Sequence, residues 1–516
     1  MYLNFPSNPN LPLSASVLIA KHPDTEIKSF QLSRLARAQG LKHPREGTAW
    51  IVNKALGTWK TVSVREKALF ALLSRPRTLD GLLSALNPSD PQYAANLLDV
   101  AYNMGFISVG GKMHPRYASG PEPPLGSHFL ALHMTSDCNL RCAYCYNSSG
   151  QNSKKFLQTE TALYFIKRAC AELPAPVLNI DFLGGEPLLA LDTVKEILRK
   201  APPLASQYGK KINFLLQTNG MLLSEETARL LREHGVGVGV SIDGPARWHD
   251  RYRRNSQGSS FHGLICSNFL KAQELGLKVS PLAVIYAPEQ LEEAFDFFIE
   301  ELRCESMRFN FFCPLGRGRE LKESLCPPSA YREPYLKVIF KALQRFRSCG
   351  RPLNIYDLQF RLKSLAEFRQ DYMCLRSPCG IGTSILSLDP EGGVYACEEY
   401  EQSCKSALFL GNAQELPPLA ELPVKNENLK HLLSRNVENI SKCRRCWLKR
   451  HCGGGCAQRA LAQNGGLNFP EAMCGLYKEL YPDLMWLLGA EEDLLQALAL
   501  QNPDPKHNLS AEADLP

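Results

Sequence analysis

Residues 133–146 read HMTSDCNLRCAYCY and place Cys138, Cys142 and Cys145 at the spacing C-x3-C-x2-C, with Tyr144 directly before the last. Three thiolates on one short loop can hold three irons of a four-iron, four-sulfur cluster, leaving the fourth iron open to a bidentate small molecule. A structural zinc would recruit a fourth protein ligand nearby, usually as paired C-x2-C units. A disulfide network has no need of three cysteines this close. The loop follows FLALHMT (129–135), an apolar run of strand length.

Downstream, strand and helix patterns alternate. Apolar strand runs fall at 177–185, 211–220, 236–245, 278–286 and 306–314, and helical patterns at 159–173, 192–205, 224–235 and 288–303. Such alternation means a parallel sheet, and six units suit an open, partial (β/α)6 TIM-like barrel. Parallel barrels place their sites at strand C-terminal ends, and polar motifs fall there: Gly184, Gly185, Glu186 and Pro187; then Gln217, Thr218 and Asn219; then Ser241 and Asp243. Two glycines at a strand end permit close backbone approach to a ligand, although GGEP is also an ordinary strand-to-helix turn. PLGRGRE (314–320) reads either as a lid over a ligand or as a loop with solvated arginines.

With these motifs, residues 128–480 resemble the radical S-adenosylmethionine (SAM) enzymes. The resemblance implies that Cys138, Cys142 and Cys145 bind a SAM-binding cluster. It makes Tyr144, Gly184, Gly185, Glu186, Pro187, Gln217 and Ser241 cofactor-binding residues, with the Glu186 side chain on the SAM amino group.

A second cysteine set lies further on. Cys443, Cys446, Cys452 and Cys456 are spaced C-x2-C-x5-C-x3-C, Cys379 and Cys397 precede them as C-x12-G-x4-C, and Cys474 follows. This resembles the SPASM extension, which carries two auxiliary four-iron clusters. The resemblance assigns Cys443, Cys446, Cys452 and Cys474 to the distal cluster and Cys379, Cys397 and Cys456 to the nearer one. Cys374 is the expected fourth ligand there, with Cys404 as the alternative. Glu398 follows Cys397, where sulfatase-maturating relatives have an aspartate, and is the candidate catalytic base; a solvated acid is the other reading. Three clusters and SAM are therefore the expected cofactors.

Upstream, TAWIVNKA and TWKTVSV read as strands, followed by helical patterns at 64–74, 79–86 and 93–106 and a hairpin at 107–113 with Gly110 and Gly111 at its turn. A further helix is expected at 28–39. The order is that of a winged helix and resembles leader-peptide-binding modules, in which a peptide adds a strand to a sheet edge. Without a Lys or Arg stripe on its third helix, nucleic acid is not an expected partner. The expected domains are the module at 1–113, a Pro/Gly/Ser linker at 114–127, the barrel at 128–350, the SPASM extension at 351–483, and a helix at 484–500 with a polar, disordered tail to 516.

Eighteen cysteines, no apolar run of membrane-span length and no signal-peptide pattern point to a reducing cytoplasm and no membrane partner. The net charge of +7 is too mild to argue for nucleic acid. The expected function is hydrogen abstraction from a ribosomally made precursor peptide bound through the N-terminal module, giving a crosslink or other oxidative modification. Flavodoxin or ferredoxin would be the electron donor. The alternatives are sulfatase maturation, which oxidises Cys or Ser to formylglycine, and a non-catalytic iron–sulfur electron carrier.

Overall fold

The computed structural model describes residues 17–28, 49–86, 91–114, 127–150, 154–368, 370, 372–400 and 404–500. The expected helix at 28–39, most of the 114–127 linker and the tail from 501 lie outside them.

Two three-stranded sheets open the chain. In one, β1 (Leu18–Lys21) lies between β5 (Arg77–Thr78) and β6 (Ile107–Val109); in the other, β2 (Thr25–Lys28), β3 (Ala49–Asn53) and β4 (Thr58–Val62) form an antiparallel meander. Helices Val64–Leu72, Leu79–Leu86 and Pro91–Asn103 pack on them. The first begins in a capping box, because Ser63 and Glu66 each bond the other's backbone N–H. The second has its start held by Thr78 Oγ1, which accepts from Gly81 N at 3.1 Å. This region has its own core of Ile19, Ile51, Phe70, Leu82, Leu98 and Phe106.

The module is also tied to the rest of the protein. Trp59 is 1% exposed. Its indole donates to Leu365 O at 3.0 Å, while Trp50 meets Trp486 edge-on at 5.7 Å. The β3–β4 turn bonds residues beside Cys452: Arg450 Nε donates to Ala55 O at 2.7 Å, and a His451 ring nitrogen lies 2.6 Å from Gly57 O.

The main sheet has ten strands in the order β13-β12-β11-β10-β9-β8-β7-β14-β15-β16. Six are the expected ones: β7 (Ser127–His133), β8 (Val177–Leu183), β9 (Lys211–Thr218), β10 (Gly237–Ser241), β11 (Val279–Ile285) and β12 (Ser306–Phe311), all parallel. β13 (Asn354–Ile355) extends the far edge, while β14 (Ile385–Leu388), β15 (Gly393–Tyr395) and β16 (Phe409–Asn412) extend the near one. β14 runs parallel to β7, and the last two turn antiparallel. These four strands are two to four residues long, too short for periodicity to announce them.

Side chains alternate across the sheet. Leu130, Leu132, Ile180, Phe182, Phe214, Leu216, Val238 and Val240 join the core under the helices, with Phe182 and Phe214 stacked at 5.8 Å. The opposite face carries Asn179, Asp181, Asn213, Gln217, Ser241 and Arg308. One face is thus apolar and covered, the other polar and concave.

At the C-terminal side the expected helix at 484–500 is two: Cys474–Ala490 and Leu494–Ala497. The acidic run Glu491–Asp493 interrupts them, and Arg347 pairs with Glu491 and Asp493 there. A single helix therefore runs from Cys474 across the position where a domain boundary was expected. No helix among the described residues is long and apolar enough to cross a membrane.

Candidate active site and cysteine clusters

The loop after β7 is clamped from three sides. Gly185 N donates to Thr135 O at 2.8 Å and Glu186 N to Asp137 O at 2.9 Å. Arg141 N and Ala143 N donate to Arg254 O and Tyr252 O. From the loop after β12, Arg317 donates to Cys142 O and Ser149 O, both at 2.9 Å. The GRG segment thus spends one arginine on bracing the cysteine loop.

Cys138, Cys142 and Cys145 are half-buried. Burial, and then the neighbouring charges of Glu186 and the other two thiols, push Cys138 up to about 12, against the Leu140 N–H that favours its thiolate. Burial pushes Cys142 up to about 11, with Arg253 working against it. Such a crowded set calls for a cationic centre to hold all three as thiolates. Among the described residues no group of three or more His, Cys, Asp or Glu converges tightly enough for a single metal ion. A cubane cluster binds each thiolate to a different iron, so its ligands stand apart, and this donor set fits it.

Tyr144 does not turn its side chain to the loop's open side. It is 7% exposed, and its hydroxyl donates to Asp243 Oδ2. Asp243, 0% exposed, also accepts from Arg253 Nε at 2.9 Å, Arg253 Nη2 at 3.1 Å and Val284 N at 2.9 Å. Arg253 lies over the Tyr144 ring at 5.2 Å. The phenol braces the loop against β10 and β11, so any cofactor contact falls to the Tyr144 backbone.

Glu186 is held by the protein. Its carboxylate accepts from Leu188 N at 3.1 Å, Thr218 Oγ1 at 2.7 Å and Asn219 N at 2.8 Å, at 0% exposure. Burial raises it to about 7 against those bonds. With both oxygens engaged inside the protein, Glu186 fastens the end of β8 to the end of β9. The glycines are needed for packing: a Cβ on Gly185 would lie 1.8 Å from Asp137 O, and one on Gly184, at φ +123, 2.5 Å from Thr135 O. Pro187 is buried at the start of the short helix that follows. Gly185→Ala must therefore displace the cysteine loop. Reconstituted protein is expected to lose at least about tenfold in SAM cleavage while keeping its helical circular dichroism, since a misplacement of about 1 Å can cost that much and more.

Asn219 sits where sequence reading saw only a polar strand end. Its Nδ2 donates to Asn139 Oδ1 at 2.6 Å and lies 3.9 Å from Cys138 Sγ. Hydrogen bonds to cluster sulfurs tune such centres. Ser241 is half-buried at the end of β10. Gln217 is engaged elsewhere, donating to Asp181 Oδ2 at 2.7 Å.

Asp181 and Arg308 went unnoticed in the sequence, because each sits mid-strand as one more polar position within a strand pattern. Burial, then the Glu398 charge, raise Asp181 to about 8. Arg308 is bonded through Nη2 to the Tyr372 hydroxyl at 3.2 Å and feels Glu398. Glu398 itself is raised by burial and then by Glu399. Burial works against Glu399 too, yet Arg459, at 2.9 and 3.1 Å, holds it below the usual range. The concave face thus carries a polar group of Asp181, Gln217, Arg308, Tyr372 and Glu398.

Residues 132–301, from β7 to the helix after β11, match the radical SAM superfamily profile. The chain carries a radical SAM domain. Relatives extend beyond it. A serine-type anaerobic sulfatase-maturating enzyme of Klebsiella aerogenes is 26% identical over 71% of this chain and 87% of its own. The radical SAM cyclopropyl synthase TigE of Paramaledivibacter caminithermalis is 24% identical over 79% of this chain and 86% of its own. Among solved structures, native anSMEcpe with bound AdoMet shares the fold at TM-score 0.59 and 22% identity, over 72% of this chain and 99% of that one. The radical SAM domain implies a four-iron cluster and SAM.

Beyond that domain, Cys443, Cys446, Cys452 and Cys474 line one cavity with Gly454, Gly455, Glu471, Lys442, Lys449 and Lys478. Cys456, four residues past Cys452, does not line it. The backbone turns at Gly453, Gly454 and Gly455, all at positive φ, and Cys456 comes under the charge of Glu399 and Arg459 instead. Cys397 feels Cys456 and Cys374, and Cys374 feels Cys379. Cys374 is solvent-exposed, although the protein packed around its thiol, and then Cys379, push it up to about 12. Cys404 is buried, 3.5 Å from Gln458 Nε2. Cys313, at the end of β12, accepts from Gln463 Nε2 at 2.9 Å.

Proposed function

We propose that this protein is a radical SAM maturase of a ribosomally made peptide. The observation that carries the reading is the N-terminal module: anSMEcpe is covered over 99% of its length by 72% of this chain. The remainder is enough for a separate module with its own core and, among the described residues, an edge strand, β2, at one side of its meander. An edge strand offers unpaired N–H and C=O groups to an extended peptide.

Cys138, Cys142 and Cys145 would hold the SAM-binding cluster, Cys443, Cys446, Cys452 and Cys474 the distal auxiliary cluster, and Cys374, Cys379, Cys397 and Cys456 the nearer one. Bound there, the first cluster and SAM would supply the radical chemistry that takes a hydrogen atom from the substrate. The chain's own residues do the rest. Gly184 and Gly185 bring backbone against the cysteine loop, and Asn219 polarises Cys138. The concave face offers Asp181, Gln217 and Arg308 to orient a peptide. Glu398, beside Cys397 and with its proton affinity raised by burial, would receive a proton from the substrate. A one-electron donor such as flavodoxin or ferredoxin would supply the electron that cleaves SAM, and the auxiliary clusters would accept the electron left when the substrate radical gives up its proton.

Sulfatase maturation is the second reading. It is favoured by the relatives of that name, while Glu398 in place of their aspartate and the additional N-terminal module weigh against it. The test is anaerobic incubation of reconstituted enzyme, SAM and reductant with a candidate precursor peptide and, separately, with a short sulfatase-derived peptide. Loss of two hydrogens from the precursor, with turnover and affinity abolished by deleting residues 1–113, supports the first reading. Formylglycine in the sulfatase peptide, unaffected by that deletion, replaces it with the second.

A further inference from the structure

The cavity lined by Cys443, Cys446, Cys452 and Cys474 has three lysines in its wall. Lys442, Lys449 and Lys478 are among its lining residues, and residues 442–450, KCRRCWLKR, add Arg444, Arg445 and Arg450. Glu438 accounts for two of these six, lying 2.9 Å from Lys449 and 3.7 Å from Arg450. The one acid in the cavity wall, Glu471, is turned inward, accepting from Cys456 N at 2.6 Å and Tyr477 OH at 3.2 Å. Lys442, Arg444, Arg445 and Lys478 are exposed, and none has an ion-pair partner among the described residues. Lys442 and Lys478 are close enough for their charges to favour the Cys474 thiolate, and Lys478 does the same for Cys443. Lys442 and Lys478 on the wall, with exposed Arg444 and Arg445 between the wall residues Cys443 and Cys446, put four unpaired cations on one stretch of surface, a repulsion that an opposing acidic surface removes. They also set up a field that steers such a surface to the mouth.

We propose that this rim is the docking surface for an acidic electron-carrier protein, which it seats against the wall of the distal thiol cavity. The proposal rests on the reading of these four cysteines as cluster ligands. It commits to a carrier rather than to the peptide substrate because the cations surround the cysteine cavity, whereas the edge strand and the polar concave face lie on other elements. At physiological ionic strength the field decays over about 8 Å, so the contact must be short-ranged and salt-sensitive.

The test uses reconstituted full-length protein and a flavodoxin of strongly acidic surface, with affinity measured by interferometry from low to high salt. Arg444→Glu/Arg445→Glu changes the rim without touching the cavity wall, and Lys442→Gln/Lys478→Gln neutralises the inner pair. Lys211→Glu, an exposed site at the start of β9, is the control. Iron and sulfide are assayed on every variant. The expected result is iron content equal to wild type in the Arg444→Glu/Arg445→Glu protein, with Kd for flavodoxin raised on the order of tenfold at low salt. That rise shrinks as salt increases, and the control does not move. Unchanged Kd in both rim variants, or a loss of peptide rather than flavodoxin affinity, overturns the docking surface. Cys443→Ala/Cys446→Ala reads the underlying assignment separately: iron undiminished in that protein removes the distal cluster, whatever the binding data say.

Discussion

Replacing Cys142 by alanine is expected to abolish formation of 5′-deoxyadenosine from SAM and reductant and to lower iron by about four per chain, the content of one cubane cluster. The fold should survive. Cys142 is half-buried and contributes one small thiol, whereas the loop around it is held by backbone bonds from Gly185, Glu186, Ala143 and Arg317, which the substitution leaves intact. Loss of one ligand leaves two thiolates, and a cubane held by two thiolates does not keep its open iron in place. Iron assay, chromatographic detection of 5′-deoxyadenosine and circular dichroism together separate loss of the cluster from loss of the fold. Turnover retained at wild-type level would mean that the loop is not the SAM site.

Arg253→Ala should be the most destabilising change in the barrel away from the cysteines. Asp243 is fully buried, and its carboxylate is balanced by the Arg253 guanidinium through two bonds of 2.9 and 3.1 Å. Removing the cation leaves a buried carboxylate with only the Tyr144 hydroxyl and Val284 N as donors, at a cost of about 3–5 kcal/mol. Burial disfavours the charged Arg253, yet Asp243 and Tyr144 keep its guanidinium charged well above the ordinary arginine range. Arg253 therefore stays charged at every working pH. Arg253→Lys should recover only part of the loss, since an ammonium cannot make the two-pronged contact. Urea unfolding of the three proteins measures this. Because Tyr144 precedes Cys145 and shares Asp243, SAM cleavage should fall along with stability; a stable but inactive Arg253→Ala would instead give Arg253 a direct role at the cofactor.

The cysteine loop and the six parallel strands were legible in the chain because their signals are local. The three cysteines lie within eight residues, and strands of five to eight residues show their apolar runs directly. The SPASM-like spacing names its cysteines equally well, but it does not say which share a cavity. That division depends on the turn at Gly453–Gly455, which carries Cys456 away from the wall formed by Cys452 and Cys474. Nor does GGEP reveal that Glu186 faces inward, since its partners Thr218 and Asn219 arrive from another strand. Asp181 and Arg308 were hidden for the same reason: each reads as one more polar position within a strand pattern, near Asn179 and Asn310, until the sheet sets them on one face.

The amino-acid order alone therefore determined which residues are cysteines at cluster spacing, which segments alternate as strand and helix, and that the chain carries a radical SAM-like loop. Those properties are set by neighbours within a few residues. Tertiary structure decided which groups meet: Tyr144 with Asp243, Gln217 with Asp181, Trp59 with Leu365, and the β3–β4 turn with the residues beside Cys452. These partners lie from 36 to 394 positions apart. Their meeting is fixed by strand register and by the packing of one apolar face, which no short window of sequence contains.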